Sequence, residues 1–230
     1  MSQPALTLVV ATQNPHKVDE IAAIFAAHNL RGVTLQTLRD RGLTSLPEPD
    51  ETGATFEANA TIKALAYARA TGALCLADDS GLEVDALSGK PGVISSHYAT
   101  DGRETGASRA QRDEANNARL LNELASVPVA LRAARFRCVM VLADGRAAGG
   151  TANEPRVLHV AAGAFEGAIG IPPRVPAGVN GFGYDPLFLV APEFTTTAAE
   201  LATDRKNAIS HRARAAAGLA AFLREHANRI

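Results

Sequence analysis

Apolar positions along this chain change period repeatedly, from runs of strand length to helical spacing and back. LTLVVAT, from Leu6 to Thr12, is short, rich in β-formers and closed by Asn14-Pro15, so it predicts a buried first strand. In KVDEIAAIFAAHNL the residues Val18, Ile21, Ala22 and Phe25 fall at helical spacing, with Asn14 as the expected N-cap and Pro15 as the first helical residue. A loop rich in proline and acids (LPEPDETGA) leads to a second helix, expected from about Thr55 to Ala70 and closed by Gly72. The strand ALCLA follows, then Asp78-Asp79, and then another strand-like run. GKPGVISSHYATDGRETGAS reads as loop and RAQRDEANNARLLNELASV as helix. The block from Arg135 to Ile171 reads as strands with a turn at Asp144-Gly145. A segment dense in glycine and proline ends in the strand LFLV, and SHRARAAAGLAAFLREH is a final helix. Such alternation predicts an α/β fold. A single domain over residues 1–230 is expected, with the middle strands, about 135–175, as candidates for a second lobe.

Composition narrows the classes. At 230 residues and 47% hydrophobic, the chain has enough apolar surface for a sizeable core. Lys and Arg total 23 against 24 acids, which argues against a broad surface for nucleic acid or membrane. Cys75 and Cys138 both lie in apolar runs, as buried reduced thiols would in a cytoplasmic protein. No signal peptide or transmembrane stretch is read in the sequence.

Chemistry enters at strand-to-helix junctions. TQNPHK, Thr12 to Lys17, precedes the first helix, whose N–H groups and dipole attract anions. Lys17 in that first turn opposes the dipole unless an anion sits between them, although an ordinary Asn-Pro cap with a solvated lysine also accounts for the stretch. Glu51 stands before the second helix, and Asn59 and Lys63 share one of its faces. Asp78-Asp79 comes where an apolar strand should end, the usual place for ligands in such folds, and hard oxygen ligands there suit Mg²⁺. On a continuous strand only one of the two would face a site, unless Ser80-Gly81 turns the chain; a plain turn is the competing reading. GFGYDP, Gly181 to Pro186, allows close backbone approach, and Phe182 or Tyr184 offers a face for stacking. Near the C-terminus, Ser210 is an expected N-cap that puts His211 and Arg212 in the first turn of the last helix, again cations against a dipole. The recurrence suggests a phosphate-rich ligand.

The ordered series TQNPHK, ETGATFEANATIKA, LADDSGLEVDALSGKPG, GFGYDPLF and TAAELATDRKNAISHRARA closely resembles the inosine triphosphate pyrophosphatase family. That resemblance spans nearly the whole chain. It implies a two-lobed α/β fold around a long mixed sheet with flanking helices, an active-site cleft between the lobes, and a homodimer. It also implies Mg²⁺-dependent hydrolysis of dITP, ITP and XTP to the monophosphate and pyrophosphate. By motif, Thr12, Gln13, Asn14, Pro15, His16, Lys17 and Lys63 would hold phosphates, and Glu51 and Asp79 the metal. Asp79 would be the general base, with Ser80 beside the substrate. Phe182, Gly183, Tyr184, Asp185, Lys206, His211 and Arg212 would contact the purine or its surroundings. Two features depart from the family pattern. Ser96-His97 stands where members often carry Ser-Ala-Arg, and the arginine-rich stretch from Arg103 to Arg119 is longer than usual.

Two other classes compete. An aspartyl phosphatase would release orthophosphate and typically needs aspartates at i and i+2, whereas these are adjacent. A regulatory module would bind nucleotide without turnover.

Overall fold

The computed structural model describes residues 6–28, 30, 32–146, 154–227 and 230. The side chains of Pro15 and His16, both expected in the first site, lie outside the described set. Six strands pair in the order β2-β1-β3-β4-β5-β6, with β1 at Leu6–Val10, β2 at Val33–Thr37, β3 at Leu74–Val84, β4 at Ala133–Asp144, β5 at Arg156–Ile169 and β6 at Phe188–Val190. β1 runs parallel to β2 and β3, while β5 and β6 are antiparallel, so the sheet is mixed as expected. The helices are α1 (Pro15–Ala27), α2 (Phe56–Thr71), α3 (Arg109–Glu123), α4 (Thr203–Ile209) and α5 (His211–His226). No described helix is long and apolar enough to cross a membrane.

The chain divides into two compact units. The first comprises 1–79, 138–163 and 211–230; the second comprises 80–137 and 164–210. In the first, Leu8, Val10, Leu74, Leu76, Met140 and Leu142 form one apolar cluster with Ile21, Ile24 and Phe25 of α1 and the alanine-rich face of α5. A glycine on β5 lets α5 come close to the sheet: a Cβ on Gly163 would lie 2.2 Å from the His211 carbonyl oxygen. β3 alternates strictly here. Leu74 and Leu76 face α1 and α5, whereas Cys75 on the other face has its Sγ 3.2 Å from Thr71 Oγ1 of α2.

Helix α2 is bounded as the sequence predicts. Thr55 Oγ1 accepts from the Ala58 N–H at 3.1 Å. Gly72 closes the helix in the left-handed region at φ 59°, donating to the Ala68 carbonyl at 2.9 Å. In the second unit the core is aromatic, with Phe136 and Phe188 ring centroids 4.6 Å apart and Tyr98, Phe165 and Tyr184 packed into the same cluster. Ser108 caps α3 reciprocally with Gln111.

Three expectations are corrected. β3 does not stop at the aspartates but runs through Ser80-Gly81 to Val84, so no turn forms there. β4 ends at Asp144 and β5 begins only at Arg156, so the turn read at Asp144-Gly145 does not by itself join the two strands. The stretch read as loop after Pro91 contains 3₁₀ turns over Gly92–Thr100. Strand β2 and the short helix α4 carry too few apolar positions to stand out in the sequence.

Candidate functional site

Because β3 stays extended through the aspartate pair, the two carboxylates leave it on opposite faces. Asp78 continues the Leu74–Leu76 face. Its side chain is fully buried, and its Oδ2 receives Lys17 Nζ at 3.0 Å and Arg212 Nε at 3.4 Å. Arg212 also pairs with Glu20 of α1. Burial works to raise the Asp78 pKa, but the Lys17 and Arg212 charges outweigh it and hold the carboxyl well below the usual range. The buried Cys138 thiol, 3.9 Å from the same oxygen, is pushed up to about 12, chiefly by burial and then by the Asp78 charge.

This changes one inference from the sequence. Lys17 and Arg212, which oppose the dipoles of α1 and α5, share an internal carboxylate. Their placement at helix starts therefore does not by itself require an anionic ligand.

Asp79 leaves the other face and meets α2. Lys63 Nζ lies 3.4 Å from Asp79 Oδ1 and 2.7 Å from Glu51 Oε1, so one ammonium bridges two carboxylates. Burial tends to lower the Lys63 pKa, but Asp79, Asp78 and Glu51 raise it well above the ordinary lysine value. Asp79 behaves oppositely to Asp78: burial raises its pKa, Lys63 opposes, and Glu51 adds to the rise. Asn59, one turn before Lys63, fixes the loop that carries Glu51, because its Oδ1 accepts from the Gly53 N–H at 2.7 Å.

The cluster tests well against a hard cation. Asp79 Oδ2 is buried and finds no hydrogen-bond partner among the described residues, which leaves one acceptor of the Asp79–Glu51 pair open while a single ammonium lies between the two carboxylates. Among the described residues no group of three His, Cys, Asp or Glu side chains could hold a metal. One or two carboxylates are what Mg²⁺ commonly takes, with water and substrate oxygens in its remaining positions.

The remaining expected residues of TQNPHK are tied locally. Thr12 Oγ1 accepts from the Asn14 N–H at 3.2 Å, and Gln13 Nε2 donates to the Leu46 carbonyl at 2.7 Å. Ser80, next along β3, is half-buried.

The second unit holds a different constellation. Gly181 at φ 78° and Gly183 at φ 63° flank Phe182, two backbone conformations that glycine adopts without strain. Asp185 Oδ2 accepts from the Phe182 N–H at 2.8 Å and from Lys206 Nζ at 2.5 Å. Tyr184 is buried and its hydroxyl donates to the Ser95 carbonyl at 2.7 Å, so of the two candidate stacking rings the half-buried Phe182 is the more accessible. A Cβ at position 181 would stand 2.1 Å from Asp185 Oδ2. Gly181→Ala is thus expected to cost about 2 kcal/mol or more, from left-handed strain plus displacement of that carboxylate. Urea titration measures it, and a loss below about 0.5 kcal/mol would show that the loop relaxes freely.

Sequence reasoning missed the supports of this loop. Asp113 Oδ2 accepts from the Gly183 N–H at 2.9 Å, and Asn117 Nδ2 donates to the Gly183 carbonyl at 3.1 Å. Their i, i+4 spacing on α3 was visible, but spacing on a polar helix does not say what lies opposite. His97, in the position where arginine is frequent, pairs with Glu104 at 2.9 Å, and Arg112 meets the same carboxylate at 3.1 Å.

Residues 8–222 match the model of the Ham1 family. A dITP/XTP pyrophosphatase of Nitratidesulfovibrio vulgaris is 46% identical over 212 residues, which cover 91% of each chain. Another, of Geobacter sulfurreducens, is 45% identical over 219 residues and covers 95% of each. Among solved structures, a HAM1 protein from Coxiella burnetii aligns with a TM-score of 0.75 at 38% identity, covering 96% of this chain and 99% of its own.

Proposed function

This chain belongs to the Ham1 family, and from that premise we propose that it hydrolyses dITP, ITP and XTP to the nucleoside monophosphate and pyrophosphate. Asp79 carries the reading: a buried carboxylate held beside Lys63 and Glu51, with one oxygen that finds no hydrogen-bond partner among the described residues. Asp79 and Glu51 would hold Mg²⁺, which when bound spreads the negative charge of the polyphosphate.

The remaining chemistry belongs to the chain. Asp79 orients a water and accepts its proton as the water oxygen bonds to the α-phosphorus. The α–β bridging P–O bond breaks and pyrophosphate leaves. Beside a bound cation Asp79 stays ionised, so it acts chiefly by holding and orienting the attacking water. Lys63 and the Thr12–Lys17 segment neutralise the phosphates, with Ser80 beside them. Phe182, Gly183, Tyr184, Asp185 and Lys206 form the base-side group. By the family resemblance His211 and Arg212, at the start of α5, are assigned to the 6-oxo group of the base, with Asp78 and Glu20 fixing the Arg212 guanidinium. A 6-amino group would set one donor against another there, and mismatched buried donors discriminate strongly.

The same proposal includes a homodimer, as the family resemblance implies, and a cytoplasmic location, which the free buried thiols of Cys75 and Cys138 favour. Pyrophosphate release in Mg²⁺ should be at least about 100-fold faster in kcat/KM from dITP and XTP than from dATP or dGTP. Equal rates would remove the selectivity, and orthophosphate as the first product would remove the reaction class.

A further inference from the structure

Helix α3 lies in the arginine-rich stretch to which no motif gives a role. Arg109, Asp113 and Asn117 fall at i, i+4 and i+8, so they form one stripe on its surface. All three engage two consecutive residues of the glycine-rich loop. Asp113 and Asn117 hold the Gly183 amide and carbonyl, and the Arg109 guanidinium carbon stands 4.5 Å from the centroid of the Phe182 ring. Lys206 Nζ, fixed by Asp185, lies 5.4 Å from the same centroid. Of the two cations, the arginine is nearer and is planar, which suits it to lie against a ring. Its ion pair with Asp113 is loose at 3.9 Å and partly exposed, a geometry that contributes little by itself.

We infer that Arg109 is a positioning residue for the purine base, setting the Phe182 ring as a stacking platform before the substrate arrives. The inference rests on the reading of Phe182 as part of the base-side group. Phe182 sits between two left-handed glycines, so its backbone neighbours offer no side chains to limit the ring. Whatever motion the ring keeps must be ordered when a base stacks on it, and that ordering weakens binding. A guanidinium held over the ring by a helix supplies the order in advance. The same stripe fixes the backbone through Gly183 and the ring through Arg109, so α3 controls both the position and the tilt of the platform.

The test compares Arg109→Met, Arg109→Lys, Phe182→Leu and the Arg109→Met/Phe182→Leu double variant with dITP in Mg²⁺. Methionine keeps an unbranched apolar stem and removes the charge. Arg109→Met should raise KM about threefold, the scale of a partly exposed cation–π contact, with kcat changed by less than about twofold. Arg109→Lys should recover most of the loss. In the Phe182→Leu background Arg109→Met should add no further rise, because its partner is gone. An unchanged KM in Arg109→Met, or an equal rise with and without Phe182, overturns the inference provided Phe182→Leu itself raises KM. A lower kcat and melting temperature with KM unmoved assigns Arg109 to helix stability alone and also overturns it. If Phe182→Leu leaves KM unchanged, the base-platform reading of Phe182 fails first, and the role of Arg109 falls with it.

Discussion

Asp79→Asn is expected to lower kcat for dITP by about 10³-fold while leaving the folded protein as stable as the wild type or more so. The two halves of that result have one cause. Burial raises the Asp79 pKa, so its ionised form is disfavoured in the fold relative to the unfolded chain. For a carboxyl group with a raised folded pKa, the cost to stability builds as pH rises past the unfolded value of about 3.9 and is complete above the folded one. Asparagine has the shape of the neutral acid and removes the cost together with the proton acceptor. A melting temperature at pH 7 equal to or above that of the wild type, with turnover lost, is the expected pair of measurements. Full activity in Asp79→Asn would remove Asp79 from its role, and a large fall in melting temperature would show that Lys63 depends on its charge. Sites that give up stability for function characteristically behave in the expected way.

The adjacent substitution should do the reverse. Asp78→Asn is expected to destabilise the protein by about 3–5 kcal/mol, the range for removing one partner of a buried ion pair. The side chain of Asp78 is fully buried and its Oδ2 serves both Lys17 and Arg212, so the variant leaves two cations short of their shared anion. Glu20 still pairs with Arg212, which places the expected loss toward the lower end of that range. The pH dependence follows from the direction of the shift. The folded pKa of Asp78 lies below its unfolded value, so its contribution is complete above about pH 4 and disappears as pH falls through the depressed value. The difference between wild type and Asp78→Asn in urea should therefore be flat from about pH 5 to 9 and narrow only in strong acid. A difference under about 1 kcal/mol at pH 7 would mean that the network reorganises around the loss.

These opposite results from neighbouring aspartates explain what could be read in the sequence and what could not. Period and capping are local, so β1, α1, α2 with Thr55 and Gly72, and α5 after Ser210 were legible from the order of residues alone. The mixed α/β sheet followed from their alternation. The aspartate pair was legible as chemistry but not as geometry. Ser80-Gly81 has turn composition, yet β3 pairs on through it, with the residues on either side, Asp79 and Leu82, both buried. The cations of α1 and α5 were also visible, but not that one buried oxygen would receive both. That pairing joins residues 17, 78 and 212, and no local pattern reports contacts at such separation. Arg109, Asp113 and Asn117 were hidden for the same reason: a polar helix face names no partner until the loop opposite it is placed.

The unbroken run of β3 through Asp78 and Asp79 also bears on how this protein can change over evolutionary time. A strand with period two can exchange side chains freely, but it tolerates insertion or loss of a single residue poorly, since every later position then changes face. A one-residue deletion between Leu74 and Ala77 would present Asp79 to Lys17 and Arg212 and Ser80 to Lys63. The chain would retain every reactive group and still lose the arrangement. Length variation among relatives should therefore be absent from this segment and collect in connections such as the one between β4 and β5. An alignment showing single-residue gaps between Leu74 and Asp79 in active relatives would contradict this.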